Sequence, residues 1–312
     1  MVTTETLKEK INEIYKEIVE YLNKEGIKID PKVRLKIIED DKNPNKLDMI
    51  ISVFILTFGM FLTLPKKLED YAYINLAIYF SQESYNIKPD ALYNDLTNTM
   101  YIYLPEALKK LSNLIYAKNN LDKESLDNIL KKIGFNNRPA KELSPHYDKT
   151  AEILIIPPKP SDEDIIRRYL ILAISHETAH ALNRKLKLFR HVDEYIASVL
   201  ENLLYFKLNI GDNKLDKGIF KILYKYNPHY EILNSAKSSY KFSEKDPNKT
   251  FNKSITKLLK NLMKKDPYSL GRYTAYYILE KYGLENIRIK NIYEKLINDP
   301  FYFLKEYFMQ CK

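Results

Sequence analysis

The 312-residue chain carries 50 Lys and Arg against 41 Asp and Glu, a formal charge of +9, with one cysteine and 45% hydrophobic residues. That is enough for one large domain or two ordinary ones, and Cys311, standing alone, excludes a disulfide framework or a cysteine-based metal site. The lysines are scattered among acids along the expected helices, with no basic stripe interleaved with aromatics, so solvated helix faces rather than nucleic acid account for the charge.

Thr4 to Lys8 already reads as the start of a charged helix rather than a basic, apolar leader, so a cytoplasmic protein is expected. From Glu5 to Asn23, Leu7, Ile11, Ile14, Ile18 and Leu22 recur at helical spacing, and Gly26 stands where that helix stops. Lys32 to Glu39 alternates charged side chains with Val33, Leu35 and Ile37, the period of a half-exposed strand. Two apolar helices are expected next, about Leu47 to Leu64 and Lys66 to Phe80, with Pro65 ending the first and suited to open the second. Within the first, the apolar run Met49 to Leu64 is shorter than the roughly 20 residues a membrane span needs, so a buried core helix is expected, with membrane association through 49–64 as the alternative.

Thr99 to Leu104 reads as a second strand, Pro105 opens a helix to Tyr116, and Leu121 to Ile133 is a short helix stopped by Gly134. Asn136 to Lys149, with two prolines, is expected to be loop. Ala151 to Ile156 is the strongest strand candidate, ended by Pro157, Pro158 and Pro160. Ser161 followed three residues later by Asp164 is a helix-starting signature, and the helix it opens runs through His180, buried by Ile165, Ile166, Tyr169, Leu170, Ala173 and Ile174. Another helix is expected from Asp193 to Lys207, with mostly helical sequence beyond it.

Chemistry is concentrated in His176-Glu177-Thr178-Ala179-His180. Residues four apart on a helix share a face, so both imidazoles can reach one ion, while Glu177 at the edge of that face can reach a water on the metal without being a ligand. Zinc, Zn2+, is the cofactor this set suits: it acidifies the water, and the carboxylate takes the proton as the water attacks a carbonyl. A third ligand is required. The elongated motif with Gly and a third His is absent, Asn183 and Leu186 standing at those positions, which leaves Glu194, His191 and Asp193. Glu194 is preferred because two His with one Glu form an established open zinc set, and Ala197 would allow its helix to pack closely; Asp193 also suits a helix cap.

These residues, with Glu194-x-x-Ala197, resemble the gluzincin metallopeptidases. The resemblance implies an α+β, zincin-like fold: a small mixed sheet with an active-site helix, a mainly helical remainder, and a cleft between them. It covers about Ala151 to Ala197 and the tail only loosely, and it implies hydrolysis of peptide or protein substrates. The order of elements gives a helical N-terminal region with sheet strands packed on the catalytic part over 1–135 and a zincin-like catalytic region over 136–312, with one compact unit as the alternative. The strand Ala151 to Ile156 would be the edge along which an extended peptide lies. Ser198 stands where the thermolysin-like branch often has an Asp, a weaker partner for a ligand histidine. Asp266 to Gly283 is similar to the Tyr-x-x-Gly helix of gluzincin aminopeptidases, which would make Tyr268 the donor to the oxyanion; a core or capping role is the alternative. No motif for holding a free peptide N-terminus accompanies it. The alternative function is a zincin-like fold acting as a non-catalytic or regulatory metal-binding module. His146 and His229, each beside a tyrosine in a Pro-containing loop, are expected to be exposed loop histidines.

Overall fold

The computed structural model describes residues 3–39, 46–59, 71–72, 75–76, 89–95, 97–121, 125, 128, 146–155, 160–210, 218–240 and 250–309. It is an α+β protein, mostly helical with one small mixed sheet. By contacts the chain divides into a smaller unit, residues 1–4 and 30–110, and a larger one, residues 5–29 and 111–312.

In the smaller unit, strands β1 (Arg34–Ile38), β2 (Ala91–Asn94) and β3 (Thr99–Tyr103) form a sheet in the order β1-β3-β2. The charged-apolar alternation of the first segment and the aromatic-aliphatic run of the third both become strands, paired parallel from Arg34 opposite Thr99 to Ile38 opposite Tyr103. β2, too short to give a periodic signal, pairs antiparallel with β3 through a turn in which Asn98 takes a left-handed conformation (φ 50°) and Asn94 accepts a hydrogen bond from the Thr97 amide at 3.2 Å. Ile38, Tyr101 and Tyr103 are buried together on this sheet with Leu92 against them.

Helix α2 (Lys46–Gly59) forms where the first apolar helix is expected, but it is not a buried core helix. Ile50, Ile51, Val53 and Phe54 are 42–61% exposed while Ser52 is buried. An apolar run of this length carries apolar side chains on every face, and packing on one face covers only part of them. Among the described residues no helix is long and apolar enough to cross a membrane. Residues 60–70, with Pro65, lie outside the described residues; of the second expected helix, residues 71–72 and 75–76 are described and helical. Helix α3 (Leu104–Asn120) follows β3 directly. The expected helix over Leu121 to Ile133, with Gly134, lies almost wholly outside the described residues.

The larger unit is built around two long helices, α5 (Asp162–Asn183) and α6 (Arg190–Ile210), which pack along each other. Ser161 caps α5 in a reciprocal box: its hydroxyl accepts from the Asp164 amide at 3.1 Å, and Asp164 accepts from the Ser161 amide at 2.9 Å. All six apolar side chains expected to bury α5 are buried, as are Ile171 and Leu172 on its other faces, so α5 is a central helix. Helix α1 (Thr4–Lys24) lays its stripe Leu7, Ile11, Ile14, Ile18 and Leu22 into the core and ends at Gly26 (φ 80°). Arg167 of α5 grips Glu17 of α1 through two hydrogen bonds of 2.8 and 2.6 Å.

The segment expected as the strongest strand is a helix. α4 spans His146–Ile155, with Ala151, Glu152, Ile153 and Leu154 all buried, and the Arg168 guanidinium donates to the Ile153 carbonyl at 3.0 Å. A short continuous apolar run has no period that separates a strand buried on both faces from a buried helix, and here the helix forms. Residues 146–149, expected as loop, open it. There is accordingly no strand over 151–155 for a peptide to pair with, and Ile156 lies outside the described residues.

Beyond α6 follow α7 (Gly218–Tyr226), α8 (Tyr230–Tyr240), α9 (Thr250–Lys265), α10 (Pro267–Tyr282), α11 (Ile289–Asn298) and α12 (Tyr302–Met309). Of these, α9, α10 and α11 pack against α6. The α10 contact is made at Gly271, where a methyl group would meet Ser198 Cβ at 2.6 Å and the Tyr195 carbonyl oxygen at 2.7 Å. Replacing a helical glycine by alanine ordinarily gains about 0.5–1 kcal/mol. Gly271→Ala is expected to reverse that sign and cost about 1–3 kcal/mol by overpacking, read as a lower urea midpoint with an unchanged m-value.

Candidate metal centre

His176 and His180 lie one turn apart on α5 and direct Nε2 atoms at the same point, 3.2 Å from each other. After α5 a short 3-10 turn, Arg184–Leu186, and a left-handed Lys187 (φ 48°) reverse the chain. The Phe189 carbonyl accepts the Val192 and Asp193 amides at 2.9 and 3.0 Å, starting α6, so that Glu194 comes one turn in. Its Oε2 is 3.3 Å from both Nε2 atoms. The three donors form a nearly equilateral triangle. A tetrahedral ion with bonds of about 2.0–2.1 Å requires its ligands to be about 3.3–3.4 Å apart, so the triangle fits an ion of zinc's size and leaves a fourth position for water. Among the described residues this is the one group of three metal-ligating side chains close enough to share an ion. The three side chains are only 12–14% exposed.

Each imidazole is held by a carboxylate at its other nitrogen. His180 Nδ1 is 2.7 Å from Asp193 Oδ2, and His176 Nδ1 is 2.9 Å from Glu201 Oε2. A proton held at Nδ1 leaves Nε2 with its lone pair toward the ligand triangle, the tautomer a metal needs. Asp193, considered as a ligand or cap, is thus the orienter of His180. His191, the other candidate ligand, stacks on Phe189 with ring centroids 6.0 Å apart and is not in the triad.

Glu201 was not foreseen from the sequence. It stands seven residues beyond Glu194, on the same helical face, as the one charged residue in the buried stretch Tyr195 to Phe206, and that spacing is the signal that could have found it. Ser198 does not reach the imidazoles and instead lies under Gly271 of α10. Lys149 Nζ of α4 lies 3.0 Å from Glu201 Oε1, and Arg272 Nη2 of α10 lies 3.6 Å from the same oxygen. Arg272 also reaches Glu152 of α4, at 3.8 Å.

Burial alone would neutralise these groups, and their partners overcome it. Burial pushes the His176 imidazole down, but hydrogen bonds to Glu194 and Glu201 leave it raised to about 9. His180 is likewise raised against burial, by Asp193 and Glu194. Burial pushes Glu194 up, and the two imidazoles hold it well below the ordinary carboxylate range. Glu201 is held low against burial by Lys149, Arg272 and His176. Metal ligation needs neutral imidazoles, so protons compete with the ion for this site.

Glu177 is nearly buried, and its charge acts on both His180 and Tyr268, which places it beside the triad. Tyr268 comes to the same place from α10, whose start is fixed by Asp266 accepting from the Ser269 amide at 3.0 Å and by Pro267 in the first turn. Its ring stacks on His176 at a centroid separation of 5.7 Å, and its hydroxyl bonds to Glu194. Burial, and then the Glu194 charge, push the phenol above its ordinary value. His229, expected to be exposed, is buried, its Nε2 donating to the Asp266 carbonyl at 3.1 Å, so it fastens the start of α10. His146 opens α4, and its side chain is outside the described parts.

Comparison with protein-family models, with curated proteins and with solved structures finds no match to the chain. The site therefore stands on its own geometry. Glu201→Gln is expected to weaken zinc binding about 10–100-fold in chelator competition. It is also expected to cost about 3–5 kcal/mol of stability in urea, because Lys149 and Arg272 then face a neutral amide. Because folding depresses Glu201 below its ordinary 4.5, its contribution is complete above that pH and is lost as pH falls further, so the stability gap between wild type and variant narrows in acid.

Proposed function

We propose that the chain is a zincin-type, zinc-dependent metallopeptidase acting on peptide or protein substrates in the cytoplasm. One observation carries the reading: two imidazole nitrogens and a glutamate oxygen 3.2–3.3 Å apart, with the Glu177 carboxylate next in sequence to the first ligand. His176, His180 and Glu194 would hold the ion. Bound there, zinc would lower the pKa of a water in the open position and polarise the substrate carbonyl.

Glu177 takes one proton from the attacking water as the C–O bond forms, and delivers it to the amide nitrogen as the C–N bond breaks. The immediate products are a carboxylic acid and an amine; the acid's proton, the second one of the water, passes to the amine to leave a carboxylate and an ammonium, and Glu177 ends as it began. Tyr268 keeps its proton, being shifted above the ordinary phenol value, and can therefore donate to the developing oxyanion once it exchanges its bond to Glu194. The motif helix α5 and the Glu194 helix α6 support a zincin-type arrangement; a peptide paired to a strand over 151–155 has no part in it, since those residues are in α4. Glu201, 2.9 Å from His176 Nδ1, places a carboxylate behind that imidazole where Ser198 does not, which supports the catalytic reading over a non-catalytic metal-binding module.

Protein purified without chelator is expected to contain one zinc per chain by elemental analysis. Glu177→Gln should retain that zinc and lose at least about 100-fold in hydrolysis of a broad peptide library. A zinc-loaded wild type that leaves the library uncut would favour the regulatory module, and a wild type that takes up no zinc would remove both readings.

A further inference from the structure

The hydrogen bonding around His180 does not stop at Asp193. The second carboxylate oxygen of Asp193, Oδ1, accepts from Asn183 Nδ2 at 2.7 Å. Asn183, the last residue of α5, is buried, and its own oxygen Oδ1 accepts from the Tyr293 hydroxyl at 2.9 Å. The donors run in one direction, from Tyr293 O–H to the Asn183 oxygen and from the Asn183 amide to Asp193, which also receives the His180 Nδ1 proton at 2.7 Å. An amide suits the middle position because it accepts at one end and donates at the other.

Tyr293 comes from the C-terminal part of the chain. It sits on α11, whose Ile289, Ile292 and Leu296 are buried and which packs on α6. The start of α11 is itself fixed from the other end of the sequence: the Ile289 amide donates to Glu25 Oε2 at 3.0 Å, and Arg288 lies 3.7 Å from the other Glu25 oxygen. Tyr293 is therefore presented to Asn183 by a docked helix.

We infer that Asn183 and Tyr293 are positioning residues of the metal centre, which fix the Asp193 carboxylate and through it the ring and tautomer of His180. The inference rests on the metal-binding reading above. Its consequence is that a residue of α11, more than a hundred positions along the chain from His180 and not a ligand, sets how tightly the ion is held. Two geometric reasons support this. Asp193 is only partly shielded from solvent, with 28% of its side chain exposed, so it needs a second anchor to hold one orientation. The anchor is made by neutral groups, which fix the carboxylate without cancelling the charge that strengthens its bond to His180.

The test is a double-mutant cycle on zinc affinity, read by competition with a chromogenic chelator on the full-length protein. Tyr293→Phe is expected to weaken binding about tenfold, the low end for an outer-shell partner. In an Asp193→Asn background the same change should alter affinity by less than about twofold, because the group it acts through is gone. Tyr282→Phe, which removes a tyrosine hydroxyl bonded to Glu306 at 2.6 Å elsewhere in the unit, should leave affinity as in wild type. Asn183→Asp sets a like charge against Asp193 and should weaken binding more than Tyr293→Phe. If Tyr293→Phe has no effect on affinity, or costs the same with Asn at 193 as with Asp, the positioning role is overturned while the metal site stands. If wild type takes up no zinc, the metal reading falls and this inference with it.

Discussion

Three electron-pair donors aimed at one point are the constraint around which the larger unit is arranged. The Nε2 atoms of His176 and His180 and the Glu194 oxygen stand 3.2–3.3 Å apart, close enough to repel unless a positive charge sits among them. Holding them there requires α5 and α6 to run against each other at fixed register. It also requires a carboxylate behind each imidazole so that neither ring can turn its lone pair away. A buried α5, a tight reversal at Arg184–Leu186 and an α6 that is apolar on most of its faces meet the first demand. Asp193 and Glu201 meet the second.

Charge balance follows from the same arrangement. Among the described residues, the carboxylates of Glu152, Glu177, Asp193, Glu194 and Glu201 converge on a region whose cations include Lys149, Arg190 and Arg272. The carboxylates also hold His176 and His180 in their protonated range, and a divalent ion bound by neutral imidazoles would take the place of those two protons. Lys149 and Arg272 both sit on the Glu201 side, whereas the Asp193 side is held by neutral groups. The two histidines are thus braced by carboxylates of different effective basicity, Glu201 being the weaker acceptor because two cations already draw on it.

Much of this was legible in sequence where a period or a spacing carried it. The stripes of α1, the cap of α5 and the alternation of β1 each specify one element, and spacing of four in the motif with Glu194 fourteen residues beyond specifies the triad. What was not legible lacked a period. Residues 151–155 are apolar but for Glu152 and show no alternation, so their strand-like composition concealed a buried helix, and with it the contributions of Lys149 and Glu152. Glu201 was concealed differently: its role follows only once Glu194 has fixed which face of α6 meets α5, after which the spacing of seven puts Glu201 on that face. The exposure of α2 and the burial of His229 are likewise matters of tertiary packing, on which local sequence is silent.

Helix α10 shows how few side chains are needed to tie these demands together. Its first turn carries Tyr268 over the His176 ring, its second lays Gly271 on α6 at Ser198, and the next residue, Arg272, reaches Glu201 and Glu152. Further along, Thr274 meets the Tyr195 hydroxyl at 3.0 Å, one residue beyond the ligand Glu194. The absence of a side chain at Gly271 sets the distance between the helices, and that distance decides whether Tyr268 and Arg272 arrive at the centre together. A wider separation would withdraw the hydroxyl from Glu194 and the guanidinium from Glu201 at once. The spacing Tyr268-x-x-Gly271-Arg272 is therefore one structural unit, in which a glycine far from any chemistry fixes the geometry of a hydroxyl and a charge that act on opposite sides of the same histidine.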